Sequence, residues 1–326
     1  MRKIILGIHG LGNKPPMTLL KEWWIRSIRE GFKKINFIQS RLPFELVYWA
    51  FYLHPVALDP NEKNSESIYY LEDPYVPSGT HDKKKPNVFR QKVLEYLEKQ
   101  LDKLMLREDF SINFSAISDL IIRRFFKDLD IYFNSNCVDE AHKECLARNA
   151  IRSELYDQLL KYRHKKILLI AHSMGSIIAY DVLMRHSEQL NIDTFVTIGS
   201  PLGVPVLMQK LAREHRTKIN GQLQLQTPEC IRTAWYNFSD LNDKVAFNYN
   251  LGDDFKPNRW GVLPIDAVVF NDYVFNEVHN PHKAYGYLRT PEVAEIVRQF
   301  LLKGEMRIFV WFKNVISRWR SRFESR

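Results

Sequence analysis

The residues best suited to chemistry are Ala171-His172-Ser173-Met174-Gly175. A serine hydroxyl is a weak nucleophile at neutral pH, so a protein that uses one must expose it, hold it and take its proton. The pentapeptide follows the apolar run Ile167-Leu168-Leu169-Ile170 and precedes a helical pattern from about Met174 to Arg185. It therefore lies on a strand-to-helix turn. Such a turn holds a serine in a strained, exposed conformation, and it needs small residues two before and two after, where strand and helix backbones crowd. Gly175 meets that need, and Ala171 is the next smallest residue. The helix start also points amide groups at the serine oxygen, where negative charge develops during acyl transfer.

With these residues in this setting the chain resembles serine hydrolases of the α/β-hydrolase fold, closest to bacterial lipases and esterases whose elbow reads A-H-S-M-G or G-H-S-x-G. The resemblance implies an early oxyanion loop, an acid after the serine and then a histidine. His9-Gly10-Leu11-Gly12 is similar to the H-G-x-G of those lipases and implies the backbone N–H groups of Leu11 and Met174 as oxyanion donors, with His9 itself structural. Asp243-Lys244-Val245 is similar to the D-x-V that carries the acid, with Asp240, nearer a strand end, as the alternative. His282 and Tyr285 are similar to the family's H-x-x-Y, with His279 as the alternative base. Thr197-Ile198-Gly199-Ser200-Pro201 looks like the turn that follows the next strand in such lipases, and supports the fold more than the chemistry.

The implied activity is ester hydrolysis through a Ser173–His282–Asp243 triad and an acyl-enzyme. The same triad serves thioester hydrolysis or acyl transfer, and a non-catalytic scaffold at a membrane or partner is the reading from another class. No cofactor and no metal is required. Histidine base catalysis predicts a rate that rises as an imidazolium loses its proton, about pH 6–7 for an ordinary imidazole. Nucleotide binding is excluded at the N-terminal loop, because Asn13 stands where a phosphate loop needs lysine. His279 and His282 are poor metal ligands as a pair, since Pro281 breaks the helix that would align them and no carboxylate or cysteine cluster accompanies them.

Those side chains need a scaffold, and the pattern supplies one. Ile4–Ile8 reads as a short buried strand, followed by a helical stripe of Leu19, Trp23, Ile25, Ile28 and Phe32 and a second strand at 44–50. Further strands are expected at 167–170, 195–198 and 234–238, and helices at 141–162 and 174–185. Thr290 as N-cap and Pro291 at the first helical position open a late helix. Strands alternating with helices predict a mostly parallel sheet covered on both faces. The alternation fails over 51–135, where helical periods at 89–106 and 117–125 suggest a largely helical lid, with Tyr69, Tyr70, Tyr75, Phe125 and Phe126 offered to an acyl or aryl group or simply to lid packing. The expected organisation is a discontinuous core of 1–50 and 136–303, the lid, and a basic amphipathic helix over 304–326.

A chain of 326 residues, 45% hydrophobic and 26% charged, is an ordinary globular composition, which rules out disorder and a disulfide scaffold. The net charge of +9 is uneven: 303–326 holds seven basic residues against two acidic ones, more than half of the excess. A uniformly basic nucleic-acid binder is therefore not expected. In the tail Ile308, Trp311, Phe312, Val315, Trp319 and Phe323 share one helical face, which fits either an anionic membrane surface or docking on the core. Three cysteines without a C-x-x-C pattern point to a reducing compartment, the cytosol, with the tail allowing peripheral attachment. The expected substrate is a small-molecule ester or lipid.

Overall fold

The structure, a computed structural model, describes residues 2–79 and 130–303, except 131, 134–135, 139–143, 216–217, 220–221 and 247–248. Six strands form one sheet: β1 (Lys3–Ile8), β2 (Phe44–Val47), β3 (Lys166–His172), β4 (Ile192–Ile198), β5 (Ile231–Ser239) and β6 (Pro264–Val268). Their order is β6-β5-β4-β3-β1-β2 and every pair is parallel. This is the parallel α/β sheet expected of an α/β-hydrolase fold.

The apolar runs are continuous because both faces are covered. In β3, Ile167, Leu169 and Ala171 pack toward α2 (Ala147–Lys161), α3 (Met174–Arg185) and α4 (Pro205–Glu214). Leu168 and Ile170 pack on the other face, toward α1 (Met17–Lys34), α5 (Ala284–Leu288) and α6 (Pro291–Leu302). A fully buried Leu or Ile is worth about 1.5–3 kcal/mol, and β3 presents them to both layers. Helix α2 buries Ala147, Ile151, Leu155 and Leu159, a stripe at every fourth residue that faces the sheet. Helix α6 starts as its sequence predicts: the Thr290 hydroxyl accepts from the Val293 N–H and Pro291 is the first helical residue.

Some boundaries differ from expectation. The helix expected from 141 begins at Ala147, because Glu144–Leu146 pairs antiparallel with Asn136–Val138 in a short hairpin. The strand expected over 44–50 ends at Val47, and Ala50–Tyr52 turn in a short 3₁₀ helix. Strand β6 and helix α4 were not expected. The helices expected at 89–106 and 117–125 and the tail helix lie outside the described residues. Among the described residues no helix is long and apolar enough to cross a membrane.

The sheet order creates the place for a site. From β1 the chain turns to α1 on one face, whereas from β3 it turns to α3 on the other. Loops leaving neighbouring strands in opposite directions open a crevice at their carboxyl ends. Register levels those ends: Ile8 pairs with Ala171, His172 with Ile198, and Phe238 with Ile198. The residues that follow each strand (His9, Ser173, Gly199 and Asp240) therefore emerge along one edge.

Candidate active site

Ser173 sits between β3 and α3 at φ 53° and ψ −127°, a conformation a non-glycine residue rarely takes. Strain of this kind costs about 1–3 kcal/mol, and neighbours hold it. The Ser173 N–H donates to the Ile198 carbonyl at 3.1 Å, and its own carbonyl accepts from the Ser176 N–H and hydroxyl. A Cβ at position 175 would lie 2.7 Å from the carbonyl oxygens of Ile8 and His9, which is the crowding that requires glycine there. Met174 and Gly175 open α3, where backbone N–H groups have no partner within the helix.

His282 reaches this turn from the loop before α5. Its Nε2 lies 2.9 Å from Ser173 Oγ, and its Nδ1 lies 2.9 and 2.8 Å from the two oxygens of Asp243. A carboxylate only accepts, so Nδ1 carries the hydrogen and Nε2 accepts from the serine hydroxyl. Asp243 is buried and takes further bonds from the N–H groups of Val245 and Ala246 and from the Tyr287 hydroxyl at 2.8 Å. Such a relay can deprotonate the serine, hold the imidazole in one tautomer and stabilise its protonated form.

The alternatives to these residues lie elsewhere. Asp240 accepts from the backbone N–H groups of Asn242 and Asn271, each at 2.6 Å, and organises the turn. Burial raises its carboxyl above the ordinary range, while those two bonds oppose the shift. His279 is exposed and its Nε2 faces the Asn271 carbonyl at 2.6 Å, in a short hairpin.

Three supporting residues were not read from the sequence. His172 Nε2 lies 2.7 Å from the His282 carbonyl, so the residue before the serine ties down the histidine's own backbone. Burial, followed by the His282 charge, lowers the His172 pKa well below that of a free imidazole. Gly199, at φ 55°, lies under the acid–base pair: a Cβ there would sit 2.9 Å from an Asp243 carboxylate oxygen and 3.3 Å from His282 Nδ1. The third is Tyr287, whose hydroxyl donates to Asp243 and accepts from the Asp240 N–H. Tyr285, the tyrosine of the H-x-x-Y match, instead packs with Trp23, Tyr75 and Tyr273. His172 and Gly199 lay in motifs visible in the sequence, whereas Tyr287 lay in none; the supporting contacts of His172 and Tyr287 span more than 40 residues.

The early loop joins the same edge. A Cβ at Gly10 would lie 2.8 Å from Ser173 Cβ, so the loop passes directly against the Ser173 side chain. His9 is buried, and Asn13 Nδ2 donates to the Val56 carbonyl while the Leu58 N–H donates to the Lys14 carbonyl, which fastens the start of the 51–79 segment beside the loop. Tyr75 of that segment packs on Trp23 of α1.

Comparison with known proteins agrees with this architecture. Residues 132–231 match a PGAP1-like alpha/beta domain, a stretch that contains Ser173 but neither Asp243 nor His282. Over 89 residues the chain is 28% identical to a protein of Saccharomyces cerevisiae named as a probable mitochondrial phospholipase, a match covering 25% of this chain and 12% of that protein. The two matches support the α/β-hydrolase fold and not the bacterial lipases in particular.

Proposed function

We propose that this protein is a serine hydrolase that cleaves carboxylic esters, with a lipid ester as the substrate class. The observation that carries the proposal is the chain of bonds from Asp243 through His282 to Ser173, spanning three separate loops at one sheet edge. In the proposed reaction Ser173 Oγ attacks the ester carbonyl carbon as its proton passes to His282 Nε2. The oxyanion is held by the N–H groups of Leu11 and Met174. The intermediate collapses, the C–O bond to the alcohol breaks, and the alcohol leaves with the proton from His282. Water then attacks the acyl-enzyme, giving its proton to His282, and the acid is released as Ser173 regains the proton.

The likeness to a probable phospholipase supports the lipid class. On this reading 51–135 forms a cap over the crevice, a role supported by the fastening of its first residues beside the 9–14 loop. The basic amphipathic stretch at 304–326 would hold the enzyme at an anionic lipid surface, which sedimentation with anionic and neutral vesicles, with and without the tail, tests.

The test of the central reading is a fluorophosphonate probe with peptide mapping. Wild-type protein is expected to take a single adduct on Ser173, and Ser173→Ala none. A folded wild-type protein that takes no adduct, with or without lipid, would overturn the proposal. Rates on glycerophospholipids and p-nitrophenyl esters of graded chain length then separate lipase from small-ester esterase.

A further inference from the structure

The loop His9-Gly10-Leu11-Gly12 cannot orient itself. It must lie close to Ser173, which the missing Cβ of Gly10 permits, yet glycines loosen the backbone they free. An oxyanion donor is useful only when its N–H already points at the place where charge will develop. Some other group must therefore fix the peptide between Gly10 and Leu11.

His9 is bonded to that peptide. Its Nδ1 lies 2.7 Å from the Gly10 carbonyl oxygen, and its Nε2 lies 3.1 Å from the Trp49 backbone nitrogen. A carbonyl only accepts and a backbone N–H only donates, so both partners demand the same tautomer, protonated on Nδ1. The ring stacks on the Trp49 indole at 4.8 Å, and that indole donates to the His9 carbonyl at 3.0 Å. Burial, assisted by the Lys14 charge, lowers the His9 pKa to about 3, so the ring stays neutral.

The peptide unit is planar and trans, so the Leu11 N–H points opposite to the Gly10 carbonyl. Holding that carbonyl toward His9 turns the Leu11 N–H to the other side. Lys14 acts on the next units: its ammonium donates to the carbonyl of Leu11, to that of Gly12 at 3.0 Å and to that of Asn13 at 3.5 Å. Four successive carbonyls are thus gathered by two side chains.

We propose that His9 and Lys14 are positioning residues that aim the Leu11 N–H at the oxyanion. This rests on the hydrolase reading above. An amide at position 9 separates the two functions of the ring. His9→Asn keeps a donor where Nδ1–H lies, whereas His9→Gln keeps an acceptor for Trp49 and loses the donor to Gly10.

The full-length protein and its variants are compared by their rate of phosphonylation at Ser173 and by their rates on matched oxo- and thiono-esters, with melting curves alongside. The expected result is that His9→Asn stays within about threefold of wild type. His9→Gln loses tenfold or more, up to the roughly 10²–10³-fold of a lost oxyanion donor, with kcat falling and KM held. The preference for the oxo-ester should shrink in His9→Gln and in Lys14→Met, because sulfur makes little use of the hole. Equal losses in both His9 variants that track their melting temperatures would overturn the proposal. So would a Lys14→Met protein with unchanged kcat and oxo preference. The wild-type rate against Ser173→Ala decides the hydrolase reading separately. ¹⁵N NMR of the His9 ring at pH 7 tests the clamp without any substrate: an Nδ1–H tautomer is expected, and an Nε2–H tautomer would sink it.

Discussion

Asp243 and Asp181 are both buried carboxylates with a histidine nitrogen at about salt-bridge distance, 2.8 Å to His282 and 3.2 Å to His215. Asp243 lies by the start of α3, and Asp181 lies within it, eight residues after Ser173 and so about 12 Å along the axis. Their other partners set them apart. Among the described residues Asp243 is met by neutral donors alone, namely two backbone N–H groups and the Tyr287 hydroxyl. Asp181 is met by Arg148 at 3.0 Å, Arg152 at 2.6 Å and Arg185 at 3.0 Å. Burial alone would raise the Asp181 carboxyl, but the His215 bond and the arginine charges outweigh it and hold the group well below the ordinary carboxylate range. A carboxylate already matched by fixed cations has little left to offer a proton arriving on a histidine. One solvated only by neutral dipoles keeps its charge for that moment. The first, Asp181, joins α2, α3 and the Tyr132 region, and the second, Asp243, is the acid of the proposed reaction.

The largest test of that contrast is the pair of isosteric changes. Asp243→Asn should lower kcat by about 10³–10⁴-fold, since the amide no longer selects the tautomer, while urea denaturation moves little. Asp181→Asn should do the reverse: it strands buried arginine charge and costs about 3–5 kcal/mol of stability, while phosphonylation of the folded protein stays within about twofold. If Asp181→Asn instead abolished labelling at intact stability, the two pairs would not be as different as their partners indicate.

Tyr287→Phe comes next. It removes a neutral donor to Asp243 and strands the Asp240 N–H. A bond to a charged group is worth about 1.5–3 kcal/mol, so kcat should fall roughly tenfold with KM nearly unchanged in steady-state assays.

A further effect is graded in pH. His9 and His172 have pKa values lowered by burial, His9 to about 3, against 6.5 for an ordinary imidazole. Between those limits the unfolded chain binds more protons at His9, so stability falls as the pH drops below about 6.5, by about 1.4 kcal/mol per unit for that ring, and His172 acts in the same direction. The Asp181 carboxyl is shifted down, so its contribution is present above the ordinary carboxylate range and lost only below it. Urea melts from pH 7 to 3 should show the loop histidines eroding first, with His172→Gln reducing the slope and Asp181→Asn leaving it intact above pH 4.

What the sequence made legible was local. The strand–turn–helix around Ser173 follows from Ile167–Ile170 and from the small residue at 175, and the start of α6 from Thr290 and Pro291. The choice between Asp240 and Asp243 is not local, because both are turn aspartates and only the position of His282, 39 residues away, distinguishes them. Gly199 looked like a turn glycine until its neighbours were seen to be Asp243 and His282. The false start of α2 has the same origin: the charged stretch before Ala147 has fair helical propensity, and pairing of Glu144–Leu146 with Asn136–Val138 overrides it.

The place of β1 between β3 and β2 also shapes how this chain comes into being. Its near neighbour, β2, follows within 50 residues, but its other edge waits for β3, which begins at Lys166. At a synthesis rate of 5–20 residues per second that edge stays open for roughly 10–30 s. Helix α6 closes on it later still, with the Lys3 ammonium donating to the Leu301 carbonyl at 2.6 Å. Strand β1 is thus enclosed late, so the nascent chain leaves one edge of this apolar strand unpaired during synthesis of the 51–165 stretch. Chaperone dependence and expression yield should therefore respond more to changes in Ile4–Ile8 than to equal changes in β6.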